Sequence, residues 1–191
     1  MQLKNTSNRY GGVAQTLHWL IVALIITQWV LAQLAEAAGH DKAAHPAAAL
    51  HQLALLARHK SVGLTIFALA IVRLVWRFVS PPPPMPNTMP RWQVMAAKLT
   101  HFAFYALLLL LPMSGLVMSA ASNYPVSYFG WFTIPNIVAP DEALKDIMKE
   151  RHEMLFDILM VVAVVHVIAA LKHHFVDRDG VLRRMLPGAP L

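Results

Sequence analysis

Apolar residues dominate four long stretches of the chain, and polar or charged residues are concentrated between them. Each stretch has the roughly 20 mostly apolar residues that a helix needs to cross a lipid bilayer. In the fourth stretch the apolar residues occupy every side of the helix, as contact with both lipid and neighbouring helices requires. The pattern predicts an all-α, four-helix transmembrane bundle as one domain over residues 1–191, with helices over about residues 17–37, 60–79, 97–120 and 152–174.

The composition supports a membrane protein and excludes several kinds of site. Hydrophobic residues make up 57% of the chain and charged residues only 14%, which is too apolar for an ordinary soluble domain. The chain has no cysteine, so disulfides, iron–sulfur clusters, thiolate zinc sites and covalent haem attachment are excluded. Gln28 and Gln33 interrupt the first stretch, which favours a retained helix over a cleaved signal peptide. Histidine is therefore the strongest candidate metal ligand.

Basic residues indicate how the bundle is oriented. If the four helices alternate in direction, most Lys and Arg residues fall on the side of the two chain termini. Because cytoplasmic segments of membrane proteins are rich in Lys and Arg, both termini are predicted to be cytoplasmic. The Lys and Arg residues of the cytoplasmic side also account for the formal net charge of +6. The positive charge therefore does not indicate a nucleic-acid partner, and none is expected. The basic residues predicted to lie on the cytoplasmic side include Arg73, Arg77, Lys172, Arg183 and Arg184.

Histidines recur within the apolar stretches at a spacing that suits a helix. His152 and His166 are fourteen residues apart, which is within about 40° of four full turns and roughly 21 Å of rise. Both side chains therefore leave the same helix face at two depths. The same spacing separates His59 from Arg73 in the second stretch. Ionisable residues inside a membrane are costly, so these positions are candidates for function.

Alternating helices arrange the histidines in two tiers. His59 and His152 fall near the periplasmic end, whereas His18, His101 and His166 fall near the cytoplasmic end. Haem b suits this arrangement, because its iron takes one imidazole from each of two facing helices and its ring fills an apolar bundle core. Arg73 is predicted to bind an anionic haem propionate. Spacing alone does not choose between His18 and His101.

Two other interpretations of the histidines remain open. In the first, the histidines at helix ends only anchor the helices at the membrane–water interface, but the repeated fourteen-residue spacing favours haem binding over this interpretation. The second alternative is a non-redox, histidine-based carrier of divalent metal ions. Such a site favours a tight cluster that includes carboxylates, and Asp157, between the two tiers, is the candidate buried acid.

Several short motifs occur in order between Tyr10 and Met185. Together they resemble the prokaryotic cytochrome b561 family of di-haem membrane proteins, which implies a location in the bacterial inner membrane. The resemblance implies that His18 and His166 bind the iron of the cytoplasmic haem, and that His59 and His152 bind that of the periplasmic haem. The motifs are His18-Trp19, His59 with Gly63 and Arg73, His101, the Leu-Pro-Met-Ser-Gly sequence at 111–115, His152-Glu153, His166 and His173-His174.

Within that family, the chain most resembles members that take electrons from periplasmic superoxide and pass them to ubiquinone. His173 lies two turns beyond His166 on nearly the same face, where it can hydrogen-bond a quinone carbonyl and supply a proton. His101 is predicted to contact the lower haem or the quinone. Four basic residues that flank the upper histidines are expected to attract superoxide: Arg58, Lys60, Lys149 and Arg151. The negative charges of Glu150 and Glu153 weaken this attraction.

The predicted function is that of a superoxide:quinone oxidoreductase with two b haems. The nearest alternative is a haem b subunit that links a periplasmic dehydrogenase or hydrogenase to the quinone pool. That alternative requires a periplasmic redox protein as partner, and the aromatic segment from Tyr124 to Phe132 is its predicted docking surface.

Overall fold

The computed structural model describes residues 2–41 and 46–188. Four long helices, each long and apolar enough to cross a membrane, account for most of this part of the chain, which confirms the all-helical membrane fold. A two-stranded hairpin lies between the third and fourth. In chain order the elements are α1 (Gly12–Asp41), α2 (Pro46–Val79), α3 (Arg91–Ala121), β1 (Val126–Tyr128), β2 (Phe132–Ile134), α4 (Glu142–Lys172), a π-helical turn (His173–Asp177) and α5 (Val181–Met185).

The helices extend beyond the apolar segments that mark them in the sequence. α2 begins at Pro46 rather than near residue 60, and α4 begins at Glu142 rather than near residue 152. Hydropathy locates only the part of a helix that lipid must surround, whereas backbone hydrogen bonding continues as long as the local sequence permits. Proline is well suited to the first helical position. At α4, the Asp141 side chain accepts a hydrogen bond from the Leu144 N–H at 3.0 Å and so caps the helix.

The long helices pack as two hairpins. α1 lies against α2 and α3 against α4, and α2 also contacts α3. The buried core is formed by one residue of α1, three of α2 and one of α3: Ile21, Val62, Ile66, Ala70 and Leu108. Within the described residues, neither α1 nor α2 packs closely along α4. Histidine side chains reach across the space between them.

The N-terminal segment, the proline-rich link and α5 meet at one end of the bundle. The Asn5 backbone N–H donates to Ser80 Oγ at 2.9 Å, and the Arg184 guanidinium donates to the Pro84 carbonyl at 2.8 Å. The Trp19 indole N–H donates to the Met185 carbonyl at 3.0 Å. Both ends of the described chain therefore lie on the same side of the bundle.

The opposite end carries the β1–β2 hairpin, in a segment expected only to be an aromatic loop. The strands pair antiparallel with Val126 opposite Ile134. Phe129 and Gly130 turn the chain with left-handed backbone angles, φ 48° and 79°. The hairpin packs on α2, where Ser61 is only 1% exposed. Its hydroxyl accepts from the Phe129 N–H at 3.0 Å and lies 3.1 Å from the Ser127 carbonyl.

Candidate functional site

The upper histidine pair comes from α2 and α4. The ring centres of His59 and His152 are 6.3 Å apart, with the planes inclined by 64°. Two imidazoles that each bond one metal ion through a nitrogen at about 2 Å have centres roughly 6 Å apart. The pair is therefore spaced as two imidazoles that would hold one metal ion between them.

Each upper histidine is held through its Nδ1 atom. His59 Nδ1 lies 3.3 Å from the Gln28 carbonyl oxygen, and His152 Nδ1 lies 3.1 Å from the Leu111 carbonyl oxygen. The Ser114 hydroxyl is a second neighbour of His152 Nδ1, at 3.0 Å. Because a carbonyl can only accept, Nδ1 carries the proton and donates it. Nε2 is then left with the lone pair that a metal needs.

Two further observations at this tier fit a bound group. A Cβ at Gly115 would lie 3.1 Å from Cε1 of His152. The His152 ring fits in this position because glycine has no side chain. The amide oxygen Oε1 of Gln28 is buried and has no hydrogen-bond partner among the described residues. A buried polar atom without a partner is costly and indicates a missing neighbour. The residues present therefore fit a haem at this level.

The lower tier holds three histidines. The His166 ring centre lies 6.4 Å from that of His18 and 5.9 Å from that of His101, with Phe104 at 5.2 Å. The separation of His18 and His166 matches that of the upper pair. His101 is almost as close, so His166 is the common member of two possible pairs.

Arg73 lies in this tier but contacts a histidine. Its guanidinium donates to Nδ1 of His18 at 2.8 Å, so the neutral ring carries its proton on Nε2. An iron bound through Nε2 requires Arg73 to release this ring, which would free the guanidinium for a propionate. One turn further on, the buried Nε1 atom of Trp76 has no hydrogen-bond partner among the described residues. Burial raises the pKa of the Tyr10 hydroxyl, and the positive charges of Arg77 and Arg73 lower it in part.

The four basic residues predicted to attract superoxide differ in their surroundings. Arg58 is exposed, and the Lys60 ammonium lies 5.8 Å from the centre of the Tyr124 ring. Lys149 lies 3.9 Å from Glu153, so part of its charge is neutralised. Arg151 lines an apolar groove between α3 and α4 with a volume of about 340 Å³, which also reaches Ser114.

Asp157 does not lie between the tiers as a buried acid. It is exposed on α4, because five residues of helix turn it about 140° away from His152. Within the described part of the chain, one group of three potential metal ligands lies close together, and it belongs to neither tier: His173, Asp177 and Asp179. Lys172 already occupies one of its carboxylates, at 2.5 Å. Among the described residues, neither histidine tier brings a carboxylate close enough to form such a cluster, so the tiers do not favour the metal-carrier interpretation.

Sequence reasoning found the histidines but missed what holds them. The acceptors at Gln28 and Leu111 are backbone carbonyls, which every residue has and which give no sequence signal. Ser114 carries a hydroxyl one residue before Gly115, inside the Leu-Pro-Met-Ser-Gly motif, so it could have been suspected. Asp179, which lies 2.5 Å from His173, is six residues away in sequence beyond the end of α4.

Histidine pairs that meet inside an apolar helical bundle are the arrangement that the axial binding of b-type haem requires, which points to the class of membrane cytochromes. The chain belongs to the prokaryotic cytochrome b561 family, because the family model described as "Prokaryotic cytochrome b561" matches residues 9–188. The protein is thus a bacterial membrane electron-transfer protein, and its family implies b-type haem.

Curated relatives match almost the whole chain. Cytochrome b561 homolog 2 of Escherichia coli strain K12 is 35% identical over 188 residues, which is 97% of this chain and 95% of that protein. The probable superoxide oxidase CybB of Yersinia pestis is 27% identical, covering 94% of this chain and 96% of its own length. Cytochrome b562 of Cereibacter sphaeroides is 28% identical, covering 93% and 94% respectively.

Proposed function

We propose that this protein is a di-haem b superoxide:quinone oxidoreductase of the bacterial inner membrane, with both termini in the cytoplasm. His59 and His152 bind the periplasmic haem iron, and His18 and His166 bind the cytoplasmic one. The observation that carries the proposal is the repetition of one geometry at two depths, with ring centres 6.3 Å and 6.4 Å apart. The relative named as a probable superoxide oxidase supports the choice of electron donor.

Bound haem supplies reversible one-electron chemistry, and the chain supplies its position and surroundings. Two superoxide anions each lose one electron and become two molecules of O₂. One ubiquinone takes up these two electrons with two protons and becomes ubiquinol. Ligands roughly 21 Å apart along α4 set the distance between the two stations. The apolar core formed by residues such as Ile66 and Leu108 excludes water between them.

The chain's own charges favour superoxide as the donor. Superoxide is a small anion, and a positive surface raises the local concentration of anions and their rate of encounter. Arg58 and Lys60 flank His59 on α2, and Arg151 precedes His152 on α4. Lys149 contributes less because Glu153 lies beside it.

The alternative donor is a periplasmic dehydrogenase or hydrogenase, for which this chain would be the haem b subunit. The β1–β2 hairpin favours this version, because Trp131 is 81% exposed and Tyr124 is 61% exposed on the same connection. Exposed aromatic residues are typical of protein interfaces and equally of the membrane–water boundary. Stable co-purification of a periplasmic redox protein would favour this alternative.

Stopped-flow mixing of the oxidised, purified protein with superoxide tests the proposal directly. The pyridine haemochrome spectrum first establishes the number of b haems per chain, for which we expect two. Haem reduction near the diffusion limit, followed by reoxidation on addition of ubiquinone, is the expected result. Slow reduction by superoxide in a protein with two haems would reject superoxide as donor and favour the partner protein.

A further inference from the structure

We propose that Asp179 is the positioning residue that holds His173 for proton delivery to the quinone, an inference that rests on the proposed function. Oδ2 of Asp179 lies 2.5 Å from Nδ1 of His173. Both side chains are largely shielded, with exposed fractions of 10% and 13%. A shielded imidazole–carboxylate pair of this kind fixes which ring nitrogen carries the proton.

The backbone takes an unusual path to make this contact. α4 ends in a π-helical turn, and π-helical turns are rare and often occur at functional sites. Arg178 then adopts left-handed backbone angles with φ 53°, a strained conformation for a residue with a side chain, and Gly180 follows with φ 75°. These turns bring Asp179 back beneath His173.

Asp179 is anchored on its other side as well. Its Oδ1 accepts a hydrogen bond from the Val181 N–H at 3.1 Å, at the start of α5. In the described part of the chain, each carboxylate oxygen thus has one of these two partners, and a partial rotation of the group would break both contacts. The position of the His173 ring is therefore set by the turn as a whole.

The arrangement determines which nitrogen exchanges protons with the quinone. Asp179 keeps the proton on Nδ1, so the protonated ring gives up its Nε2 proton to a quinone oxygen as the quinone is reduced. The neutral ring then regains one proton on Nε2 from water at the cytoplasmic surface. Water supplies the second proton of ubiquinol to the other quinone oxygen.

Other charged groups surround this pair. Asp177 Oδ2 lies 3.1 Å from His173 Nδ1, and the same oxygen binds the Lys172 ammonium at 2.5 Å. The turn packs against α4 and α5, and α5 carries Arg183 and Arg184. Arg184 is directed to the Pro84 carbonyl. Among the described residues, Asp179 is the acid nearest to the ring, and its oxygens contact no lysine or arginine.

Asp179→Asn tests the inference, because an asparagine can keep the contact to the Val181 N–H while presenting an NH₂ group to His173. That NH₂ group donates to Nδ1 and, because the Lys172 ammonium already binds the Asp177 oxygen beside the ring, the ring proton moves to Nε2. Asp179→Glu restores the carboxylate, and Asp146→Asn, at the far exposed end of α4, is the matched control. Ubiquinone-dependent haem reoxidation is measured against quinone concentration, with quinone binding measured separately at equilibrium.

For Asp179→Asn we expect at least a tenfold fall in kcat, with unchanged haem content and little change in quinone binding. Asp179→Glu should recover part of the rate. An Asp179→Asn protein with the wild-type rate at saturating quinone would overturn the inference. If ubiquinone fails to reoxidise the wild-type protein, the proposed function itself fails.

Discussion

The four proposed iron ligands are held in different ways. In the upper pair, backbone carbonyls at Gln28 and Leu111 accept from Nδ1, and Nε2 is available. In the lower pair, Arg73 occupies Nδ1 of His18 as a donor. The upper pair is therefore preorganised for a metal, whereas the lower pair needs one side chain to move. Preorganisation lowers the cost of binding.

Removing single histidines should separate the two haems. His59→Ala or His152→Ala is expected to lower the haem content from two to one per chain and to spare the lower haem, since each haem loses only its own ligand. His166→Ala should remove only the lower haem. Pyridine haemochrome assays and redox titrations measure the count. His51→Ala, an exposed histidine of the same helix as His59, is the control and should retain both haems. A count of two in the His59 or His152 variant would contradict the ligand assignment.

Gly115 is expected to be sensitive to the smallest addition. In Gly115→Ala the new Cβ meets His152 3.1 Å from Cε1 and 3.3 Å from Nδ1, and the Leu111 and Ser114 contacts restrict the ring. The upper haem should show a shifted spectrum and potential, while the lower haem serves as an internal reference. Gly63→Ala is the matched control, because there the close atom is the flexible end of Gln28, at 3.2 Å. Equal changes in the spectrum and potential of the upper haem in the two variants would show that His152 is not tightly packed against residue 115.

Among the elements, the β1–β2 hairpin is held on α2 by hydrogen bonds from two side chains. Ser61 bonds to the hairpin backbone at Ser127 and Phe129, and Thr65 contacts the Tyr128 hydroxyl at 3.1 Å. Ser61 lies two residues after His59, so the fastening is close to the upper tier. The hairpin is thereby held over the end of the bundle at which superoxide is proposed to enter.

Ser61→Ala should loosen the hairpin without removing haem. The substitution removes the acceptor of the Phe129 N–H, a partly buried hydrogen bond whose net contribution is about 1 kcal/mol. Amide hydrogen exchange of residues 126–134 is expected to speed up at least fivefold, with α2 itself little affected. Thr27→Val is the control, because the Thr27 hydroxyl donates to the Ala23 carbonyl of its own helix and has no other partner among residues 2–41 and 46–188. Unchanged exchange in the hairpin would show that packing alone holds it.

For the whole molecule, the important property is that its two ends differ. The end with both described chain termini carries the three-histidine tier, Arg73 and the His173–Asp179 pair. The other end carries the upper pair, the hairpin and the basic residues proposed to attract superoxide. A bundle with two different ends suits electron transfer in one direction across a membrane.

Reversing the basic charges near the upper pair should slow the reaction with superoxide. Lys60→Glu combined with Arg151→Glu is expected to lower the second-order rate of haem reduction about tenfold at low salt and to weaken its dependence on ionic strength. Lys149→Glu should have a smaller effect, because Glu153 already offsets that charge. Lys98→Glu, on the exposed surface towards the other end of α3, is the control. A rate that does not respond to salt in the wild-type protein would exclude electrostatic steering.

Sequence by itself determined the four helices, the absence of thiolate chemistry and the two-level histidine pattern. Hydropathy and the 3.6-residue period are local properties, so they place His152 and His166 on one face without knowledge of any neighbour. The helix ends were less well predicted, because polar helical segments such as the start of α2 carry no hydropathy signal. The exposure of Asp157 follows from the same period and was predicted wrongly because only its depth was considered.

Tertiary structure alone decided which groups meet across the bundle. The carbonyls that orient His59 and His152, the Arg73 contact with His18 and the fastening of the hairpin at Ser61 join residues far apart in the chain. Backbone carbonyls are chemically the same at every position, so only the packing of helices selects the ones that face a histidine. The contact between Asp179 and His173 likewise depends on a π-helical turn and a left-handed Arg178, neither of which has a dependable sequence signal.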